Sequence, residues 1–418
     1  MNDTSSTAAE SIPRTPLFQS FFGAGFECST FRRRSGRILD LIAATEHDRF
    51  AEQDYARIQG EGLRFAREGV RWPLVEARRG HYDFSSLAAV AKAARETRTQ
   101  VIWDLCHFGW PEHLDLFKPE FVSALAQFGV ACARWLKNET GERLFVVPIN
   151  EISFFSWACG DEGSMFPFVT GRGFELKAQL VRASIQAMDA LWSVAPDTRF
   201  VHVDPLIHVV PSPRHPEDRA KAEAYRLSQF QAWDMLAGRL WPELGGQERY
   251  LDVLGVNFYP HNQWVYNFKN FRRVRRFAPL NRRNPLFRPF RQMLLEVHER
   301  YHRPLFVAET GAEDRARPSW LRYVCQECRA ALFHGVPLEG ICLYPIVNHP
   351  GWVDDRHCQN GLWDYPDSSG DRKVYAPLAR EVRRWRKVFE PRGLNNRVET
   401  QSVPAHRLHG REIGAAAR

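Results

Sequence analysis

Short runs of apolar residues punctuate the chain at 21–28, 63–72, 100–107, 144–151, 199–210, 251–259, 304–311 and 338–347. Most carry little of the in–out alternation of a half-exposed strand, so they read as strands covered on both faces. Between them, apolar residues return every three or four positions, which marks helices at 48–59, from Ser85, from Pro119 to 138, and at 174–194, 220–240, 320–334 and 375–388. Asp48 is placed to cap the first helix, and Gly60 and Gly62 stand where it must end. Strand followed by helix, repeated without a long insertion, predicts a parallel sheet closed on itself, a single-domain (β/α)₈ barrel over 21–390. A flexible leader (1–20) and a polar tail (391–418) flank it. An open doubly wound sheet would need a glycine-rich turn after its first strand. Here Gly23 and Gly25 lie inside the strand, with no third glycine at the required offset.

Two of the runs end in carboxylates. Residues 144–149 are apolar and lead into Asn150-Glu151; residues 304–308 lead into Glu309. A buried strand has no use for an ionised carboxylate, so both acids are expected at strand tips, in a cleft. In a barrel, the C-terminal strand ends converge on one mouth. The side chains expected there are Glu27, Arg67, His107, Asn150, Glu151, Asn257, Tyr259, Glu309 and Trp352. Carboxylates facing each other across such a mouth are the equipment for glycoside cleavage. One acid must stay protonated to assist the leaving oxygen; the other must be ionised to attack or to stabilise the sugar cation.

Composition narrows this reading only slightly. Of 418 residues, 44% are hydrophobic and 13% aromatic, enough for a large core and for a cleft that takes flat-faced ligands. The net charge of +8 speaks to association rather than fold. The densest basic block, 271–283, reads as a solvated loop or as a recognition element over the mouth for an acidic glycan. Nucleic acid is the less economical ligand for it. The eight cysteines fall mostly inside predicted strands and helices, which reads as reduced thiols in a cytoplasmic protein. Cys325 and Cys328 form a C-x-x-C within a helix, with no second pair at zinc spacing. His349, Asp354, Asp355 and His357 crowd one loop without a standard ligand pattern, so no metal is expected. No secretory signal or membrane span is apparent.

The residues at the strand ends also carry a resemblance. Arg67 with Trp72, His107 with Pro111, Asn150-Glu151, Asn257 with Tyr259, and Glu309-Thr310-Gly311 occur in the order, and at the barrel-strand spacing, of family-one glycoside hydrolases. The chain resembles that β-glucosidase-like family of retaining barrels over most of 21–390. The resemblance implies Glu309 as nucleophile and Glu151 as general acid/base, with no cofactor. It implies Arg67 and Tyr259 as supports of Glu309, and Asn150 as a contact to the sugar 2-hydroxyl. His107, Asn257, Trp352, Glu27 and Trp110 would bind substrate.

The chain departs from the family on strand eight. The family's final tryptophan is kept as Trp352, but the glutamate that grips the outer sugar hydroxyls is Gly351 here. The identity of the sugar does not follow. The same site would serve a transglycosidase, and a non-catalytic glycan-binding barrel is the alternative from another class. Structural readings compete at each position: rim carboxylates paired with arginine for the two acids, a core histidine for His107, and core aromatics for Trp110 and Trp352.

Overall fold

The structure is a computed structural model that describes residues 16–266 and 279–390. The expected tail 391–418, the first fifteen residues of the expected leader and residues 271–278 of the basic block lie outside the described residues.

Eight parallel strands close into a barrel in chain order: β1 (Phe22–Gly25), β2 (Phe65–Gly69), β3 (Gln100–Cys106), β4 (Phe145–Ile149), β5 (Arg199–Pro205), β6 (Val253–Asn257), β7 (Leu305–Thr310) and β8 (Leu338–Leu343). Each strand pairs with its sequence neighbours, and β8 returns to β1 through Phe22↔Ile341. The outer ring is α1 (Ala51–Gly60), α2 (Ser85–Thr97), α3 (Pro119–Thr140), α4 (Gly173–Val194), α5 (Arg219–Leu227), α6 (Phe290–Tyr301), α7 (Arg317–Phe333) and α8 (Ala376–Phe389). This is the predicted (β/α)₈ barrel, and strands and helices alike fall close to the expected bounds.

Four expectations change. The run at 199–210 is not one strand: β5 stops at Pro205, and His208–Pro211 pairs instead with Gln263–Tyr266 outside the barrel. Pro205 marks the break, since its nitrogen cannot donate to a ladder. The helix expected at 220–240 ends at Leu227, passes through a 3₁₀ turn at Ser228–Phe230 and resumes over Gln231–Leu236. Helix α6 had no counterpart in the sequence reading, because the basic block before it drew attention to loop character. Lastly, part of the expected leader is core: Phe18 is 4% exposed and stacks on Phe65 at 4.6 Å, plugging the barrel floor.

The barrel interior is filled from below by Phe18, Phe65, Ile102, Phe145, Val147, Val201, Val203, Val253, Phe306, Ala308 and Cys342. The glycines of β1 make room for this filling. A Cβ at Gly23 would stand 2.2 Å from the Phe65 ring, and one at Gly25 would stand 2.0 Å from the Tyr344 ring. Above Phe65 on β2 and Ile102 on β3, the alternation brings inward Arg67 and Asp104, both fully buried. The layered packing of the barrel thus changes from apolar to ionic at one level.

Outside the sheet, a second buried ionic cluster ties β2 to the helices. His47 is fully buried, with Nδ1 2.8 Å from Asp54 and Nε2 3.0 Å from Glu68. Arg372 bonds Asp54 at 2.6 and 2.9 Å, and the Tyr55 hydroxyl donates to Glu68 at 3.0 Å. Burial disfavours the imidazolium, but Glu68 and Asp54 outweigh it and raise the His47 pKa from 6.5 to about 9. Because the folded value exceeds the unfolded one, the stabilisation is complete below about pH 6.5 and is lost as pH rises through about 9. A shift of that size corresponds to roughly 3 kcal/mol at about 1.4 kcal/mol per unit. The thermal midpoint is therefore expected to fall across that window. His47→Gln should lower it at pH 6 and flatten the fall, as read by circular dichroism melts.

Candidate active site

Arg67 is the centre of the mouth. Its Nη1 lies 2.6 Å from Glu309 Oε1, its Nη2 lies 2.6 Å from Asp104 Oδ2, and its Nε lies 3.1 Å from Asp104 Oδ1. Nη2 also donates to Asn150 Oδ1. One guanidinium therefore holds residues from β2, β3, the end of β4 and β7, in the fork geometry that lysine cannot reproduce. Its carbon sits 5.4 Å from the centre of the buried Tyr344 ring. Burial works against the charge of both Arg67 and Asp104. Their mutual attraction, with Glu309 helping Arg67 and His107 helping Asp104, keeps the arginine pKa high and the aspartate pKa low.

Glu309 reaches this centre through a distortion. Phe306 and Ala308 point into the barrel, so strict alternation would turn Glu309 outward. The register against β6 slips by one residue between Val307 and Glu309, a bulge that re-aims the carboxylate. Its second oxygen, Oε2, accepts the Tyr259 hydroxyl at 2.8 Å. Both oxygens of Glu309 thus receive donors.

Glu151 is held differently. It sits just past β4 in the left-handed region, φ 47°, a conformation that costs a non-glycine residue on the order of 1 kcal/mol. Its N–H donates to Val203 O at 3.0 Å, and its carbonyl accepts from Phe155 N at 2.7 Å. Asp204 secures the residue two positions on, accepting from Ser153 N at 2.9 Å and from Ser153 Oγ at 3.0 Å. The carboxyl of Glu151 takes one protein donor, Asn257 Nδ2, at 2.7 Å. Burial first, and then the charge of Glu309, push its pKa well above the usual carboxylate range. Arg67, whose charge opposes that rise, is bonded to Glu309 and not to Glu151.

The remaining predicted residues divide between the mouth and the fold. His107 and Asn150 meet there, with Nε2 and Nδ2 3.1 Å apart, and His107 Nδ1 lies 2.8 Å from Asp104 Oδ2. This makes the imidazole part of the Arg67 network. Glu27 accepts from the N–H and hydroxyl of Ser29, and its charge reaches Tyr259 and Tyr344. Trp352 is half-buried, packed edge-on against Phe31 and Phe108 at 5.4 and 5.7 Å. Trp110 is a core residue: it is buried against Phe155 and Phe166, and its Nε1 donates to Leu114 O at 3.1 Å. A Cβ at Gly351 would meet the carboxylate end of Asp354 at 2.1 Å, so a side chain there would require Asp354 to turn away.

The crowded loop after β8 does not converge on one point. Asp355 pairs with Arg33 and Arg37, His357 with Asp364, and His349 with Asn360. Cys325 and Cys328 are buried in α7 as free thiols. Of the basic block, the described part places Arg282 over the Tyr323 ring at 4.9 Å. Among the described residues, no helix is long and apolar enough to cross a membrane. Sequence reasoning missed Asp104, Tyr344 and Asp204. The first had a signal, a lone acid inside the apolar run 100–107.

No protein-family model and no curated protein matches this sequence. Solved structures do match its fold. A β-glucosidase from Thermotoga maritima in complex with glucoimidazole superposes with a TM-score of 0.72 at 16% identity, covering 88% of this chain and 98% of that one. The AHE enzyme from Alicyclobacillus herbarius gives 0.72 at 17% identity over 88% and 98%. A hyperthermophilic β-glucosidase mutant gives 0.69 at 14% over 88% and 100%. At these identities the likeness establishes the barrel architecture alone.

Removing Arg67 would leave Asp104 buried without its counter-charge. Arg67→Met is expected to lower unfolding free energy by about 3–5 kcal/mol, measured by urea denaturation, with part of the loss recovered in the Arg67→Met/Asp104→Leu double variant.

Proposed function

We propose that this protein is a retaining β-glycosidase acting on a small or oligomeric carbohydrate. The observation that carries the proposal is a pair of carboxyl groups at one barrel mouth held by contrasting partners. Glu309 receives a guanidinium and a phenol, whereas Glu151 is buried with an amide donor and repelled by the Glu309 charge. The named neighbours lend support, since two are β-glucosidases and one was solved in complex with glucoimidazole.

In the first displacement, Glu309 attacks the anomeric carbon while Glu151 gives its proton to the departing glycosidic oxygen. A glycosyl ester on Glu309 results, and Glu151 is left ionised. In the second, Glu151 takes a proton from water as that water attacks the same carbon, and the Glu309 carboxylate leaves with retention of configuration. Tyr259 and Arg67 keep the attacking carboxylate oriented. Asn150, held by Arg67 and His107, keeps one amide hydrogen for the sugar 2-hydroxyl. Both proton transfer and covalent attack are done by carboxylates, so the reaction as proposed needs no cofactor.

Glu309→Gln should reduce turnover of aryl β-glycosides on the order of 10⁶-fold, as loss of the nucleophile does in a serine protease. Glu151→Gln should spare substrates with good leaving groups in the first displacement and fail on alkyl glycosides. Because Glu151 must enter the cycle protonated, kcat/KM should fall as pH rises through its elevated pKa, and Glu151→Gln should abolish that basic limb. Wild-type-like kinetics in Glu309→Gln would overturn the proposal.

A further inference from the structure

One group of donors beneath the mouth joins Cys28, which has no part in the chemistry above, to Asp104 and His107, which support Arg67 and Asn150. Cys28, just past β1, is 1% exposed, and its Sγ lies 3.2 Å from His107 Nδ1. His107 Nδ1 lies 2.8 Å from Asp104 Oδ2, and the three donor atoms fall within 4.8 Å of one another. Among the described residues, this is the one place where three potential ligand side chains converge so closely.

We propose that Cys28, Asp104 and His107 bind a thiophilic divalent cation of the zinc or cadmium class, and that occupancy switches the site off. The donor set is a thiolate, an imidazole and a carboxylate, the mixture such ions favour. Tetrahedral zinc bonds of about 2.0–2.3 Å require donor spacings of roughly 3.3–3.5 Å. The spacings at His107, 3.2 and 2.8 Å, need to widen by roughly 0.3–0.5 Å, and the spacing between Cys28 and Asp104 lies within 4.8 Å. A fourth position can be filled by the Tyr344 hydroxyl, 3.8 Å from Sγ, or by water. The charges acting on Cys28 are two acids, Asp104 and Glu27, opposed by one arginine, Arg67, with which a cation would share Asp104.

The consequence follows from hydrogen-bond roles. With Nδ1–H donating to Asp104, Nε2 of neutral His107 accepts from Asn150 Nδ2. Metal on Nδ1 leaves a neutral ring protonated at Nε2, while the Cys28 thiol proton is released to solvent. Two donors then face each other across the contact to Asn150. Relief requires Asn150 to turn its oxygen to His107 and give up its bond from Arg67. Asn150 immediately precedes Glu151, so the cation disorders the pair of residues on which turnover depends. The inhibitory half rests on the glycosidase reading; the binding half does not.

The test is a cadmium titration of the intact protein, followed by the ultraviolet thiolate-to-cadmium charge-transfer band. One equivalent should bind. Cys28→Ala, with a wild-type circular dichroism spectrum, should lose the band. His107→Gln, which keeps the thiol, should weaken binding by more than the roughly 10–100-fold that follows loss of an outer partner. Aryl glycoside hydrolysis measured alongside should fall with the same midpoint in the wild type and resist cadmium in Cys28→Ala. Absence of the band, or a band unchanged in Cys28→Ala, overturns the site. Activity that persists at full occupancy overturns the switch. A protein that binds cadmium as described but cleaves no glycoside would count against the glycosidase reading alone.

Discussion

A single guanidinium, buried inside the barrel one layer above the phenylalanines, sets the terms for everything at the mouth. Arg67 is desolvated, and an isolated charge there would be prohibitively unstable. It persists because Asp104 receives two of its N–H groups and Glu309 and Asn150 receive others. The reverse also holds: Asp104 and Glu309 can be carboxylates in the interior only because Arg67 is there. Such a cluster is no cheap source of stability, since apolar packing of similar volume often does as well. What it supplies is position. Four strands are pinned to one planar group, and the orientation of Asn150 and Glu309 is fixed by the fork.

The asymmetry between the two acids follows from where that charge ends. Arg67 bonds Glu309 and stops short of Glu151. Glu151 therefore feels burial and the negative charge of Glu309 with little relief, and its pKa is pushed well above the usual carboxylate range. The backbone contributes as well. A bulge turns Glu309 inward from a position that would face the helices, and a left-handed residue at Glu151 turns the chain sharply at the tip of β4. Strain of this kind gathers where a side chain must be aimed rather than packed. Asp204 keeps that turn in place by bonding both the backbone and the hydroxyl of Ser153.

Much of this architecture was legible in the amino-acid order. Runs buried on both faces, alternating with amphipathic helices, lead to a closed parallel barrel, and carboxylates at the ends of two such runs lead to its mouth. The contacts of Arg67 and Tyr259 to Glu309 are those expected from their positions at strand ends. What stayed hidden depends on tertiary neighbours. Phe18 looks like part of a polar leader until the barrel floor is there to receive it. Trp110 reads as a sugar platform until Phe155 and Phe166 cover it. The bulge in β7 leaves no mark in a five-residue apolar run, because register is a property of two strands. Asp104 could have been found, since an acid in the middle of an apolar strand needs a partner and the barrel offers Arg67.

The claim that bears most weight is that Glu309, held by Arg67, is the nucleophile that attacks the sugar. Incubation with an activated 2-deoxy-2-fluoro-β-glycoside, whose fluorine slows release of the intermediate, followed by peptide mass spectrometry, addresses it directly. The account predicts one fluoroglycosyl group per chain, on Glu309, with none on the Glu309→Gln variant. A label on Glu151 or on any other residue, or release of the leaving group with no label from a substrate that is turned over, would contradict it.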